Sequence, residues 1–217
     1  MSTFVRLFSN STGVFAPKLS RRALVGGMAA AVACGFARPS FADVGDDPFP
    51  LPEFNYGKTP EPFRPALVAY EGRQRPGTII VNTSARQISL IVDGGQAMRW
   101  GCAVGKDGFR WAGLADVGRK VVWPKWTPPK EMIARVPEKA KWANGMPGGP
   151  ENPLGARALY LFQNGQDTLF RIHGTTDPGS IGKNASSGCI RMINQDVVEL
   201  FSLVPIGSRV IVLAEGV

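Results

Sequence analysis

Histidine and cysteine are scarce in this sequence, and their scarcity limits the kind of site it can build. The 217 residues contain one histidine, His173, and three cysteines, Cys34, Cys102 and Cys189. A structural zinc site uses four cysteine or histidine ligands. Cys34 lies in a segment that we expect to be removed, which leaves three candidate ligands. The sequence therefore predicts no metal site, and we expect no cofactor.

Acidic residues are absent from the first 42 positions, which carry five basic residues. The formal net charge of +8 is therefore concentrated at the N-terminus, and the remainder has 20 basic and 17 acidic residues. A nucleic-acid-binding surface needs a strong, clustered positive charge. The charges after position 42 are nearly balanced and interleaved, so we expect no nucleic-acid partner.

Residues 1–42 have the organisation of a secretory signal peptide. The Arg21-Arg22 pair precedes an uncharged run at 23–37, and small residues at 40 and 42 provide a cleavage site. The run is shorter than the roughly 20 residues that a membrane-spanning helix needs. We therefore expect no stable membrane insertion after cleavage.

The paired arginines before a weakly hydrophobic stretch resemble a twin-arginine signal. That resemblance implies a bacterial protein that folds in the cytoplasm and is then exported to the periplasm. Two alternatives stay open. One is an ordinary secretory signal with two chance arginines, and the other is a lipoprotein signal with Cys34 as the lipidated residue.

The next segment, residues 43–75, is predicted to be a proline-rich arm or linker. Six prolines fall between positions 48 and 65, and proline has no backbone N–H to donate within a sheet or a helix. An extended segment that lies on the domain surface suits this composition. The domain itself is predicted to span residues 76–214.

Alternating apolar residues predict a mainly β domain. Strands are expected at 78–82, 87–92, 98–104, 119–123, 157–162, 168–173 and 208–213. Helices are expected at 128–135 and 194–203, the second with Asn194 as its N-cap. A long segment at 105–154 contains four of the five tryptophans. It either forms a lid over a binding site or covers the sheet, and both interpretations stay open.

Cys189 and His173 are the candidate catalytic pair. A thiol becomes a strong nucleophile when a base takes its proton, and imidazole is the usual base near neutral pH. Gly188 precedes the cysteine, and a glycine there lets neighbouring backbone N–H groups converge on one oxygen. Ser186 and Ser187 add small hydrogen-bond donors. This set of residues predicts covalent acyl transfer.

The residues alone leave two points open. The group that orients His173 is either the Asp177 side chain or a backbone carbonyl. Cys102 lies in an alternating run and is predicted to be a buried strand residue. The alternative is a Cys102–Cys189 disulfide, as an oxidising compartment would favour. That bond would make the domain a non-catalytic binding module.

The motifs around the catalytic pair resemble the L,D-transpeptidase catalytic domain of the YkuD-like family. His173-Gly174-Thr175 is followed by the run Ser186-Ser187-Gly188-Cys189-Ile190-Arg191-Met192. The stretch at 152–159 and the strand end at 103–105 are also similar, so the resemblance covers roughly residues 76–213. It implies a β-sandwich with one or two short helices and the lid-like insertion.

The resemblance also implies the catalytic roles. Cys189 is the implied nucleophile, His173 the implied base, and the carbonyl of Gly174 the implied group that orients the base. Many family members have a second histidine where this chain has Ser187. His173 must therefore act alone here.

Substrate and oxyanion contacts follow from the same resemblance. The backbone amides of Ser187, Gly188 and Cys189 are expected to form the oxyanion hole. Arg191 matches a position that family members use near the substrate, and Ser186 is a further candidate for substrate binding.

The implied reaction is transfer between a donor and an acceptor stem peptide of peptidoglycan through a thioester on Cys189, which forms cross-links in the cell wall. Two alternatives use the same site. With water as the acceptor the chain is an L,D-carboxypeptidase or a cross-link hydrolase. With a protein amine as the acceptor it attaches an outer-membrane protein to peptidoglycan. The sequence predicts no oligomeric state.

Overall fold

The computed structural model describes residues 47–106, 111–186 and 188–214. The predicted signal peptide at 1–42 lies outside the described residues, as do the first residues of the predicted arm and Ser187. Within the described ranges, no helix is long and apolar enough to span a bilayer.

In the described part of the chain the backbone forms eleven β-strands and two α-helices. The strands are β1 (Ala66–Ala69), β2 (Ile79–Asn82), β3 (Gln87–Val92), β4 (Gln96–Gly101), β5 (Val104–Gly105), β6 (Gly113–Val122), β7 (Arg157–Gln163), β8 (Gln166–His173), β9 (Asn184–Ser186), β10 (Ile190–Arg191) and β11 (Arg209–Leu213). The helices are α1 (Lys130–Arg135) and α2 (Asn194–Leu203). Single 3-10 turns lie at Tyr56–Lys58, Glu61–Phe63, Pro137–Trp142 and Pro178–Ser180.

Nine of these strands form one mixed sheet in the order β1-β4-β3-β2-β11-β6-β7-β8-β10. Neighbouring strands lie about 4.8 Å apart, so a flat sheet would separate β4 from β8 by about 29 Å. Trp100 of β4 and Ile172 of β8 nevertheless belong to one buried cluster. The sheet therefore curls around a single core, and its two halves are the layers of the predicted mainly β sandwich.

Helix α2 lies against this core and supports the strands of the site. Val197 and Leu200 are fully buried in the core cluster. Lys120 of β6 donates to the carbonyls of Phe201 and Val204 at 2.5 and 2.7 Å, which caps the C-terminal end of the helix. The predicted helix at 194–203 is confirmed at both ends.

The predicted N-cap of α2 is wrong. Ile193 occupies the cap position and makes no side-chain hydrogen bond there. The Asn194 side chain instead bonds to two backbone segments near His173. Tertiary contacts have thus overridden the local capping preference of asparagine.

Two predicted strands differ most from the structure in their bounds. The strand expected at 98–104 is divided, because β4 ends at Gly101 and Ala103 bridges to Arg191 of β10. The strand expected at 119–123 begins earlier, since β6 covers Gly113–Val122 and pairs with β11 and β7. Residues 113–122 of the predicted insertion at 105–154 are therefore sheet.

The described part of the predicted arm packs against the domain along its length. Asp47 forms a nearly buried ion pair with Arg157 at 2.6 Å. Farther along, Phe54, Tyr56 and Phe63 pack on a small cluster of Ala103, Ile181 and Ile193. Residues 66–69 then form β1, the edge strand of the sheet, paired with β4. The prolines exclude this segment from the sheet interior, but its apolar side chains still bind the domain.

Candidate active site

The pairing of β8 with β10 brings the two candidate catalytic residues to one side of the sheet. These strands are parallel, with Ile172 opposite Ile190 and His173 opposite Arg191. Ile172 and Ile190 face the core, with 0% and 3% of their surface exposed. Since side chains alternate along a strand, Cys189 and His173 lie on the opposite face, and their Cα atoms are about 8 Å apart by register.

The loop before Cys189 is shaped by Ser186 and Gly188. Gly188 has φ +121°, a backbone conformation that suits glycine. The buried hydroxyl of Ser186 donates to the carbonyl of Cys189 and accepts the Gly188 N–H at 3.1 Å. Ser186 therefore holds the loop together. Its hydroxyl makes two hydrogen bonds inside the protein, and the predicted substrate contact of Ser186 stays a prediction.

The backbone amide of Gly188 was predicted to contribute to an oxyanion hole. In the structure that amide donates to Ser186 Oγ. An oxyanion at this position must therefore replace the bond to Ser186, or use the amide of Cys189. Ser187, the third predicted contributor, lies outside the described residues.

His173 is oriented by a backbone carbonyl. Its Nδ1 atom lies 2.6 Å from the carbonyl oxygen of Gly174, and only 4% of the residue surface is exposed. A carbonyl oxygen can only accept, so the hydrogen bond requires the proton on Nδ1. The neutral ring then has a free lone pair on Nε2, as a general base needs. The Gly174 carbonyl, and not the Asp177 side chain, makes this bond.

The electrostatics of the site favour a neutral thiol and a neutral imidazole. Burial lowers the pKa of His173 to about 4, opposed by its hydrogen bonds to the Gly174 and Leu154 carbonyls. Burial raises the pKa of the Cys189 thiol, opposed by the backbone of Arg171 and by the charges of Arg171 and Arg191. Both shifts act against a resting thiolate–imidazolium pair.

The thiol and the imidazole are not hydrogen-bonded to each other in this structure. The nearest acceptor of the Cys189 thiol is the carbonyl oxygen of Leu169, at 3.9 Å from Sγ. Leu169 lies in an irregularity of β8 and has φ +65°. Catalytic hydrogen bonds are often long before substrate binds. That the imidazole takes the proton of the thiol stays a prediction from the sequence.

Both cysteines of the described chain, Cys102 and Cys189, are free thiols. Cys102 is fully buried in the core cluster next to Trp100 and Val104. The predicted burial of Cys102 is therefore confirmed, and the alternative of a Cys102–Cys189 disulfide is wrong.

Two arginines flank the nucleophile, but only one is already paired. Arg171 forms a two-point ion pair with Asp167 at 2.7 and 2.9 Å and stacks on Tyr160 at 4.2 Å. Arg191 is half-buried, and among the described residues its guanidinium has no hydrogen-bond partner. The Asp177 charge acts on Arg191 only at longer range. Arg191 is therefore the cation available to a ligand.

A small, mainly apolar pocket lies beside Gly188, next to Cys189 in the chain. Gly188 and Gly105 line it together with Trp111 and Phe170, whose rings stack with centroids 5.6 Å apart. The sequence did not predict these two aromatic residues as site residues. Trp111 belongs to the segment at 105–154, for which a lid and a cover of the sheet both stayed open, and only the fold brings it and Phe170 next to Gly188.

The sequence also missed the residues that support His173 from the segment before β7. Asn152 is fully buried, and its side chain donates to the carbonyls of Pro124 and Pro147 while accepting the Leu154 N–H. Leu154 then presents its carbonyl to His173. An asparagine before Pro-Leu-Gly is a recognisable turn signal, but its link to the histidine depends on the fold.

The family model described as "L,D-transpeptidase catalytic domain" (YkuD) matches residues 76–212. The chain belongs to this family. A putative L,D-transpeptidase of Fuscovulum blasticum is 42% identical over 101 residues, which are 46% of this chain and 49% of that protein. The probable L,D-transpeptidase YbiS of Escherichia coli K12 is 39% identical over 102 residues, 46% of this chain and 32% of that protein. The chain thus spans about half or less of the curated relatives it matches.

Solved structures agree with the family fold. A Brucella melitensis protein described as a probable carnitine operon oxidoreductase is 48% identical, with a TM-score of 0.50 over 73% of this chain and 98% of that chain. An Ldtfm–avibactam carbamoyl enzyme has the same TM-score at 19% identity, over 65% of this chain and 50% of that chain. The second likeness concerns the fold alone.

Proposed function

We propose that this protein is a cysteine-dependent L,D-transpeptidase that acts on peptidoglycan stem peptides. The observation that carries the proposal is the state of His173. Its Nδ1–H is fixed by the Gly174 carbonyl, so the basic Nε2 is available on the face of the sheet that carries Cys189. A base held in one tautomer beside an accessible thiol is the arrangement that acyl transfer requires.

In the first half of the reaction, Cys189 Sγ attacks the carbonyl between an L-centre and the terminal D-residue of a stem tetrapeptide. His173 Nε2 takes the thiol proton as the S–C bond forms. It then gives that proton to the departing amine as the C–N bond breaks, which leaves a thioester on Cys189. Because both residues rest in the neutral state, the proton moves together with the attack.

In the second half, the amine of a neighbouring stem attacks the thioester carbonyl. His173 takes the proton of that amine and returns it to sulfur as the S–C bond breaks. The products are a new peptide cross-link and the original thiol. The low pKa makes the protonated ring a strong acid towards the departing amine and the neutral ring a weak base towards the thiol.

Arg191 is the proposed substrate-binding cation. Its guanidinium has no hydrogen-bond partner in the described part of the chain, and it lies opposite His173 in the sheet. A terminal carboxylate of the donor peptide can pair with it in a charge-assisted, two-point geometry. That contact would place the scissile bond beside Cys189. The oxyanion contacts proposed for this step are the backbone amides of residues 187–189.

The proposed location is the periplasm, reached by the twin-arginine route. The supporting evidence is the arginine pair and the acid-free N-terminal segment. In that compartment the reaction would contribute to cell-wall biogenesis and to cell shape.

The decisive experiment incubates the purified protein with tetrapeptide muropeptides and identifies the products by mass. Cross-linked dimers with loss of the terminal D-residue support the proposal. Tripeptides without dimers would instead identify a hydrolase, and products linked to an added outer-membrane protein would identify an attachment enzyme. Cys189→Ala and His173→Gln are the matched controls, and cross-linking by either variant at the wild-type rate would overturn the proposed mechanism.

A carbapenem provides a second probe of the same thiol. Acylation should add the mass of the opened lactam to a peptide that contains Cys189. A wild-type protein that cross-links muropeptides at full rate but never forms this adduct would count against the family-based expectation for the inhibitor.

A further inference from the structure

Asn194 connects the first residue of α2 to the two backbone segments that surround His173. Its Oδ1 atom accepts the Ala156 N–H at 3.0 Å and the Thr175 N–H at 3.2 Å. Its Nδ2 atom donates to the carbonyl of Thr175 at 3.1 Å. The amide therefore makes three hydrogen bonds to backbone groups, and none of them caps its own helix.

One of these bonds acts on the group that orients the histidine. The Gly174 carbonyl and the Thr175 N–H belong to the same planar peptide unit, in which the C=O and N–H point in opposite directions. Asn194 holds the N–H end of that unit, while the C=O end accepts from His173 Nδ1 at 2.6 Å. Rotation of the peptide plane would break both bonds together.

Two glycines leave the space that Asn194 occupies. A Cβ atom at Gly155 would lie 2.2 Å from Asn194 Oδ1, and one at Gly174 would lie 2.1 Å from the same atom. Real Cβ atoms do not approach an oxygen that closely, so a side chain at either position would displace the amide. The absence of a side chain at Gly155 and Gly174 therefore leaves room for the Asn194 amide, which an incidental surface contact would not require.

The second backbone segment contributes the other carbonyl near the ring. Leu154, whose carbonyl acts on the pKa of His173, is two residues before Ala156, whose N–H donates to Asn194. Asn194 is therefore hydrogen-bonded to both backbone segments whose carbonyls act on the imidazole. These segments precede β7 and follow β8, at the open end of the hairpin.

We propose that Asn194 is a positioning residue for the general base: it fixes the Gly174–Thr175 peptide plane, and through it the Nδ1–H tautomer and the orientation of His173. This inference rests on the proposed function for its catalytic consequence. Its structural content can be tested without any substrate, because His173 is the only histidine in the chain.

The experiment records the nitrogen-15 NMR signals of the imidazole across a pH titration for the full chain and for Asn194→Leu. Leucine has a similar size but can form none of the three hydrogen bonds. The wild type should show the Nδ1–H tautomer and a depressed pKa. The leucine variant should show a mixture of tautomers and a shifted titration midpoint.

The rate of Cys189 acylation by a carbapenem is the kinetic readout. A small misplacement of a catalytic group can cost about 100-fold in rate, so we expect Asn194→Leu to lower the rate constant of acylation by about 10- to 100-fold. The half-saturating concentration should change little, because Asn194 is not proposed to touch the substrate.

Asn194→Asp and Gln195→Ala complete the design. The aspartate keeps both acceptor bonds but places a carboxylate oxygen where Nδ2 donates to the Thr175 carbonyl. It should therefore retain the Nδ1–H tautomer and recover part of the rate, even if the leucine variant does not fold. Gln195 is the next residue of α2, and its side chain donates to the carbonyl of Pro52 in the arm, away from His173. Its alanine variant should match the wild type in both readouts.

A folded leucine variant with an unchanged tautomer and acylation rate would overturn the proposal, and so would an aspartate variant that loses the Nδ1–H tautomer. If instead the tautomer responds as expected but the wild-type protein acts on no muropeptide, the positioning role stands and the proposed function fails. The two results are therefore distinguishable.

Discussion

Cys102 and Cys189 show how differently the same side chain behaves in two regions of this fold. Cys102 follows β4, is fully buried among apolar side chains, and has a pKa raised by burial to about 12. Cys189 precedes β10 and is half-buried, with Arg171 and Arg191 close enough to oppose the effect of burial on its pKa. The comparison shows that reactivity comes from access and from neighbouring groups.

The largest expected effect is on catalysis. Replacing Cys189 with alanine should lower the rate of stem-peptide cross-linking by at least about 1,000-fold, because no other described thiol lies on the catalytic face. Cys102→Ala should keep the wild-type rate and instead lower the free energy of unfolding by about 1 kcal/mol through the lost core packing. Muropeptide turnover and urea unfolding of both variants test this contrast.

Two outcomes would contradict this difference between Cys189 and Cys102. A Cys189→Ala protein that still cross-links would show that the thiol is not the nucleophile. A Cys102→Ala protein that folds normally but has lost turnover would assign Cys102 a role that its burial does not predict.

Alkylation by iodoacetamide tests the difference in reactivity between Cys189 and Cys102 in the native protein. Cys189 should be modified and Cys102 protected until the protein unfolds. Since the pKa of Cys189 is raised and His173 rests neutral, the alkylation rate of Cys189 should rise about tenfold per pH unit towards alkaline pH. Peptide mapping by mass after timed quenching measures both sites.

A plateau of the Cys189 rate between pH 5 and 8 would contradict the neutral pair. Such a plateau is the mark of a thiolate already formed by transfer of its proton to imidazole. His173→Gln is the control: it should leave the alkaline rise in place, because the thiol does not depend on the ring for its resting ionisation.

Much of this architecture could be predicted from local sequence patterns. The bounds of β3 and α2 follow from apolar periodicity and match the structure residue for residue. The choice of His173 and Cys189 as the candidate catalytic pair came from the motifs that contain them. Periodicity reports on neighbours within one element, so it is reliable for those elements.

Features set by long-range contacts could not be predicted in this way. The break between β4 and β5 exists because Ala103 pairs with Arg191, which is far away in sequence. The preference of asparagine for helix N-caps was outweighed at Asn194 by backbone groups of residues 156 and 175. Each miss involves a residue whose partner is supplied by another part of the fold.

A third prediction concerns stability and the neutral state of the base. The pKa of His173 is about 4 in the folded protein and about 6.5 in an unfolded chain. Between these values the unfolded state binds more protons, so stability from this residue is present above pH 6.5 and is lost as the pH falls to 4. The full contribution of His173 to the free energy of unfolding is about 3 kcal/mol.

Asp196 acts in the opposite direction over nearly the same range. Burial raises its pKa to about 7, against the hydrogen bond that Tyr56 donates to it. Its contribution to stability is therefore lost as the pH rises from about 4 to 7. The wild-type protein alone would show two partly cancelling slopes, so the measurement needs a difference between two proteins.

That difference is the unfolding free energy of the wild type minus that of His173→Gln, determined in urea at intervals from pH 4 to 7. It should increase by about 3 kcal/mol over this range, since the glutamine removes only the histidine contribution. Parallel curves for the two proteins would mean that His173 titrates normally in the folded state, and the neutral pair would then lose its physical basis.

The smallest expected effect lies in the backbone beside Cys189. Leu169, whose carbonyl accepts from the Cys189 thiol, has φ +65° and 75% of its surface exposed. A left-handed conformation costs a non-glycine residue about 1–2 kcal/mol, while glycine costs about 0.5–1 kcal/mol through the entropy of the unfolded chain. Leu169→Gly should therefore stabilise the protein by about 0.5 kcal/mol.

Leu67→Gly, in the extended backbone of β1 with a 50% exposed side chain, is the matched control and should destabilise the protein. If both glycine substitutions lower the midpoint of thermal unfolding, the backbone of Leu169 beside Cys189 is not strained. The regions around Cys189 and Cys102 would then differ in their side chains alone.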